Sequence, residues 1–192
     1  KIINDLLDMS KIEAGKMDYK FTSTNVEKLI EFVKLQQTNV AESKGLNLTT
    51  HFDDRFVTVF ADSSRLQQVL NNLLSNAIKF TNAGGTIDIS TKVIDASEIR
   101  TPECFAEEVK NLEGKYLQIC VSDDGIGIEK ENLPKIFDQF QQVESSLSRE
   151  VGGTGLGLPI VRKMLDAHNG AIWAESAVNE GSKFYFVLPV ST

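Results

Sequence analysis

The chain has 192 residues, 41% hydrophobic and 24% charged, the balance of a soluble globular protein with one domain and an appendage. Twenty Lys and Arg against 27 Asp and Glu leave a net charge of -7, which excludes a large basic footprint for nucleic acid or an anionic membrane, so any anion must be bound locally. No stretch approaches the roughly 20 apolar residues of a membrane helix, no signal-peptide pattern opens the chain, and Cys104 and Cys120 form no zinc pattern, so a reduced, cytoplasmic setting is expected.

In chain order, KIINDLLDMSKIEAGKM comes first, where Ile2, Ile3, Leu6, Leu7 and Ile12 predict an amphipathic helix ended at Gly15. Its apolar residues lie on more than one face, which points to a neighbouring helix or a second chain as its partner, with packing back on the same domain as the alternative. With Lys1 at its head, the chain is expected to be a piece of a longer protein. After a polar connector, Asn25 is an N-cap for a second helix to about Ser43, with Val26, Leu29, Ile30, Val33 and Val40 on its apolar side. Two extended segments follow, Leu46 to Phe52 and Val57 to Phe60. Asp62 or Ser63 caps the strongest helix, in which Leu66, Val69, Leu70, Leu73, Leu74, Ala77 and Ile78 repeat at helical spacing. Gly84 and Gly85 turn it into an alternating strand, Thr86 to Val93; about Asp95 to Gly114 reads as a polar surface insertion, and the strand Tyr116 to Ser122 follows. A short helix around Leu133 to Phe137, a Gln- and Ser-rich loop, a helix from about Leu156 to His168, and strands Ala171 to Glu175 and Lys183 to Leu188 complete the chain. Irregular alternation with adjacent strands predicts an α+β sandwich, with helices on one face of a mixed sheet.

Three stretches carry chemistry. Asn72, Asn76 and Lys79 fall within an arc of about 60° beside the apolar stripe of their helix. An amide oxygen can ligand Mg2+ and a lysine can meet phosphate, although solvated helix faces also carry such residues. In VSDDGIGI, a strand ending at Asp123 runs into Gly125 and Gly127, which lets backbone approach a flat ligand while the carboxylate accepts from an exocyclic amine; the same dipeptide also makes ordinary turns. In GGTGLGLPIVRKML, Gly153, Gly155 and Gly157 alternate with Thr154 and Leu156 before a helix whose N-terminus suits phosphate. No Gly-Lys-Ser/Thr follows, so this is not a P-loop, and no preceding strand makes it a dinucleotide fingerprint. IFDQF, with Phe137 and Phe140, reads as core or lid packing, and QQVESSLSREV has the length of a lid in which Arg149 could reach a terminal phosphate. His51 and His168 stand alone, the latter at a helix end, and neither reads as catalytic.

In their order and spacing these motifs closely resemble the catalytic and ATP-binding domain of sensor histidine kinases, in the superfamily that also holds gyrase, MutL and a group of chaperones. NLLSNAIKFT resembles the family's asparagine box, DDGIGI its first glycine box, IFDQF its phenylalanine box, GGTGLGL its second glycine box and EGSKFYFVLP its closing strand; KIINDLLDMSKIEAGKM is similar to the end of the dimerisation and phosphoacceptor hairpin. The resemblance implies a two-layer sandwich of a mixed, mostly antiparallel sheet with three helices on one face, residues 20–192 being the catalytic domain and residues 1–19 the truncated hairpin helix. It implies that Asn76 ligates Mg2+ with Asn72 beside it and Lys79 on phosphate. Phe80 then lies near the adenine and Asp123 accepts from its amino group. Gly125, Gly127 and Ile128 admit the base, Gly153, Thr154, Gly155, Leu156, Gly157 and Leu158 wrap the phosphates, and Phe140 and Ser182 complete the nucleotide site. About Gln141 to Gly152 would be the lid, with Arg149 at the γ-phosphate. The phosphoacceptor motif is absent, so the γ-phosphate would go to a histidine on another segment of the same or a partner chain, within a homodimer, and onward to a response regulator. The family's ATPases carry a glutamate where Asn72 stands, and an amide cannot take a proton, which disfavours hydrolysis. The intact Asn76, Asp123 and glycine runs speak against the alternative of a degenerate, nonenzymatic nucleotide-sensing module, and the hairpin-like N-terminus counts against a serine kinase of the anti-sigma type.

Overall fold

A computed structural model describes residues 2–53, 57–141 and 155–190. Helix α1, Ile2–Glu13, ends before Gly15, whose φ of +62° few other residues adopt. The polar segment that follows is not simply a connector. Its residues Thr22–Asn25 form strand β1, which pairs antiparallel with β3, Thr58–Ala61. Asn25 caps α2, Val26–Ser43, by accepting from the Lys28 N–H at 2.9 Å. The buried stripe of α2 is Val26, Ile30, Val33 and Ala41, while Val40 is 51% exposed, contrary to its expected place: it sits about 100° round the helix from Ala41.

Strand β2, Asn47–His51, precedes β3, and then Asp62 caps α3, Ser63–Phe80, by accepting from the N–H groups of Ser64 and Arg65. Strand β4 is Thr86–Asp95, a short α4 is Ala106–Val109, and β5 is Lys115–Asp123. Helix α5 is Gly157–Ala167, followed by β6, Ala171–Ala177, and β7, Gly181–Pro189. The expected helix around Leu133 is a single 3₁₀ turn, Leu133–Lys135.

The main sheet runs β2-β4-β5-β7-β6, with β2 parallel to β4 and every other pair antiparallel. Its register aligns side chains in rows on one face: Thr91, Ile119, Phe186 and Ile172, then Ile89, Val121, Phe184 and Ala174, then Ile87, Asp123, Ser182 and Ser176. The first two rows belong to the core under α2, α3 and α5, which pack on one another and on the strands. The last row turns polar where the sheet ends, with Asp123, Ser182 and Ser176 side by side. This is the two-layer α+β sandwich expected from the pattern of elements.

Residues 96–114 do more than decorate the surface. Ile99 and Phe105 are buried, the Phe105 ring lies 5.7 Å from that of Phe137, α4 packs on β6, and Glu108 pairs with Arg162 of α5. The polar average of that stretch conceals Ile99, Phe105, Val109 and Leu112, which suffice to close it onto the domain. Helix α1 packs on α5, with Met9 buried at 5% exposure, Asp8 accepting from Gln68 of α3 and Glu13 from Gln139.

Candidate functional site

Helix α3 presents Asn72, Asn76 and Lys79 along one side, with Asn72 buried and the other two half-buried. Gly157, which opens α5, comes so close that a Cβ there would lie 3.3 Å from the Asn72 amide oxygen. The amide ridge and the glycine-led helix start, far apart in sequence, are therefore neighbours. Among the described residues no side chain caps the start of α5, Pro159 lacks a donor, and the N-terminal end of the helix dipole suits an anion. The side chain of Leu156 is core, 1% exposed, so what it can offer a phosphate is backbone.

At the other end of α3, the loop after β5 folds over the helix terminus. The Ile126 N–H donates to the Phe80 carbonyl at 3.2 Å, and a Cβ on Gly125 would lie 2.5 Å from that oxygen. Only glycine fits. The Lys79 ammonium lies 4.8 Å from the centre of the Phe80 ring, a cation–π distance that brings the phosphate-type and base-type residues together. Asp123 is 9% exposed and accepts from the Gly125 N–H at 2.9 Å; burial pushes its carboxyl up to about 6, against the pull of the Gly125 and Ser182 N–H groups. A desolvated acceptor thus sits beside the loop that packs on the end of α3.

The loop is braced from the β6–β7 hairpin, of which the sequence motifs singled out residues 180–189 and Ser182 but not Ser176 to Asn179. A Cβ on Gly127, at φ +71°, would fall 1.9 Å from the Ala177 carbonyl oxygen, and one on Gly181, at φ +88°, 1.9 Å from that of Asp123. The Asn179 N–H donates to the Ile126 carbonyl, and the Ile128 N–H to the Ser176 hydroxyl at 2.8 Å. One signal for Ser176 exists in the sequence: it follows Ile172 and Ala174 at strand spacing, a polar residue at a core-facing position.

Phe140 is 66% exposed with φ +60°, its N–H donating to the Gly155 carbonyl, so the phenylalanine box ends by clasping the glycine run. Leu158 is half-buried in the first turn of α5. Arg149, Gly153, Thr154 and residues 142–152 of the expected lid lie outside the described residues. Among the described residues no group of three or more His, Cys, Asp or Glu could hold a metal ion, and no helix is long and apolar enough to cross a membrane. His168, expected at a helix end, is buried there: its Nε2 accepts from the Asp62 N–H at 3.0 Å and its Nδ1 faces the Met164 carbonyl, so the proton is on Nδ1.

Comparison with known proteins places this geometry. The family described as "Histidine kinase-, DNA gyrase B-, and HSP90-like ATPase" matches residues 61–192. The "Non-motile and phage-resistance protein" of Caulobacter vibrioides is 40% identical over 189 residues, 98% of this chain and 20% of that protein. The sensor histidine kinase WalK of Bacillus subtilis is 34% identical over 191 residues, 98% of this chain and 28% of WalK. The chain therefore spans less than a third of the length of either relative. Among solved structures, full-length ShkA in complex with AMPPNP covers the whole chain and matches over 35% of its own length, with a TM-score of 0.79 and 26% identity. The catalytic domain of histidine kinase ThkA matches 88% of this chain and 95% of its own, with a TM-score of 0.67 and 30% identity.

Proposed function

From the premise that this chain belongs to the family of histidine kinase-, DNA gyrase B- and HSP90-like ATPases, we propose that it is the ATP-binding catalytic domain of a two-component sensor histidine kinase. The observation that carries the reading is the buried Asp123 carboxylate at the end of β5, beside the glycine loop that packs on the Phe80 carbonyl at the end of α3. The exocyclic amine of a planar base suits such a desolvated acceptor. Asp123 takes the adenine amino group, Phe80 and Ile128 flank the base, and Ser182 holds Asp123 through its N–H.

Lys79 and the open N-terminus of α5 face the phosphates, with Gly153, Thr154, Gly155, Gly157 and Leu158 along them and Arg149 reaching the γ-phosphate. The residues present suit Mg2+, a hard cation that the neutral amide oxygen of Asn76 would hold with Asn72 beside it. Held there, it would supply positive charge next to the phosphates. Asn72 contributes no base, so water is not activated and the γ-phosphate is kept for a histidine supplied by the hairpin helix of the same or a partner chain. Residues 1–19 are the end of that hairpin, the intact protein is a cytoplasmic-facing homodimer, and the phosphoryl group passes to an aspartate of a response regulator.

Calorimetric titration of the chain and of Asn76→Ala with Mg-ATP, with phosphate release followed in the same samples, tests the reading. Tight binding by the parent, at least tenfold weaker in the variant and with negligible release, is expected. No binding by the parent overturns it, and brisk release returns an ATPase to first place.

A further inference from the structure

A single hydroxyl, that of Ser176, stands between the loop after β5 and the β6–β7 hairpin and touches three partners. It accepts from the Ile128 N–H at 2.8 Å, donates to the Gly181 carbonyl at 2.8 Å and lies 2.9 Å from the Ser182 hydroxyl. A serine hydroxyl has one proton and two lone pairs. With its proton on Gly181 and one lone pair on Ile128, its remaining lone pair can only accept, so Ser182 is the donor of the third bond. The proton of Ser182 is thereby committed to Ser176, and Ser182 turns lone pairs, like its neighbour Asp123, to whatever lies in front.

We propose that Ser176 is a positioning residue for nucleotide binding, fixing the far end of the base loop 125–128 and the polarity of Ser182; this rests on the nucleotide reading given above. The loop has four anchors. Its near end is held by the Asp123 carboxylate on the Gly125 N–H, and its middle by backbone bonds from Ile126 to Phe80 and from Asn179 to Ile126. The far end has Ser176 alone, and it is the one side-chain clasp between loop and hairpin among these anchors. Because Asp123, Ser182 and Ser176 stand in register across β5, β7 and β6, the clasp ties the loop to the sheet row that carries the base acceptor. Losing the hydroxyl leaves the half-buried Ile128 N–H without its partner and lets that end of the loop lift, while the ladder of the sheet needs no Ser176 side chain.

Two measurements on Ser176→Ala and Ser176→Thr test this. In the nucleotide-free chain, hydrogen exchange at the Ile128 amide is expected to be at least tenfold faster in Ser176→Ala, with the Ile119 and Phe186 amides of the sheet unchanged. The Mg-ATP dissociation constant is expected to rise about tenfold, and Ser176→Thr, which keeps the hydroxyl, restores both. Unchanged Ile128 exchange in the alanine variant overturns the proposal, as does unchanged affinity. Equal acceleration at Ile119 and Phe186 also overturns it, by showing a merely structural role. Should the alanine variant not fold, Ser176→Cys, a weaker acceptor of similar size, decides by the same exchange ratio. The exchange arm needs no nucleotide, so a parent that fails to bind Mg-ATP sinks the nucleotide reading without being confused with a failed clasp.

Discussion

Asp123 sits buried at the end of β5, and loss of water holds its carboxyl at about 6, with Asp124 adding to the rise and the Gly125 and Ser182 donors opposing it. Its folded value exceeds the unfolded 3.8, so the stability tied to its protonated form is fully present below the lower value and lost as pH rises through the higher one. Asp123→Asn, which keeps an acceptor but no charge, is therefore expected to stabilise the nucleotide-free chain by about 3 kcal/mol at pH 8 and by little at pH 4. Melting curves at both values check this. Nucleotide recognition asks for the opposite form, so Mg-ATP affinity should fall as pH drops through about 6, and titration of Asp123→Asn should lack that step.

Glycines separate by contact rather than by dihedral angle. Gly84 and Gly127 both have positive φ, yet a Cβ on Gly84 meets nothing within 4 Å while one on Gly127 strikes the Ala177 carbonyl. Gly84→Ala should cost about 1 kcal/mol of backbone strain. Gly127→Ala should cost at least twice that and weaken nucleotide binding as well, read by denaturant unfolding and titration in parallel.

Among the elements, α3 depends most on one residue at its start. Burial of Asp62 would raise its pKa, but the N–H groups of Lys20, Arg65 and Ser64 together hold the carboxyl below its usual range. The same side chain thus caps α3 and ties down the segment arriving from α1. The Tyr19 and Phe21 rings close over His168 at 5.6 and 4.9 Å, and His168 in turn receives the Asp62 N–H. Asp62→Ala is expected to cost about 2 kcal/mol, the upper range for an N-cap. It should also speed exchange at the Lys20 amide, which an ordinary cap mutation would leave alone.

The two capping residues were readable because a polar residue before an apolar-periodic run has a local cause. So were α3 and α5, whose stripes are set by spacing alone. Strand β1 was not, since Thr22–Asn25 shows no alternation and exists by pairing with residues 58–61 far along the chain. Ser176 was missed for a similar reason: its meaning comes from register with Ser182 and Asp123, a property of three strands and not of any segment. The glycine and asparagine motifs were legible as a set, yet their meeting at the ends of α3 depends on how β5 and β7 are ordered in the sheet.

On the scale of the whole molecule, α1 is attached to the sandwich instead of being built into it. Met9 is its buried anchor, and polar bonds from Asp8 and Glu13 flank it. A core methionine cut to alanine typically costs about 2–5 kcal/mol, but α1 can detach while the sheet stays folded. Met9→Ala is accordingly expected to raise exchange across α1 while leaving the main melting transition within about 1 °C, a split that scanning calorimetry and hydrogen exchange would reveal together.

Strand β7, the last of the chain, lies inside the sheet between β5 and β6. In synthesis order α1 to α5 therefore come before the strand that joins the two halves of this sheet. Until about residue 189 is available, β6 has no neighbour, Asp123 lacks the Ser182 donor and Ile128 lacks a fixed clasp. The nascent chain must wait, with apolar faces of α3 and β5 open, and is for that interval a natural client for holding chaperones. If the nucleotide reading holds, a chain stopped before β7 is expected to show no Mg-ATP binding in the titration that the full chain passes.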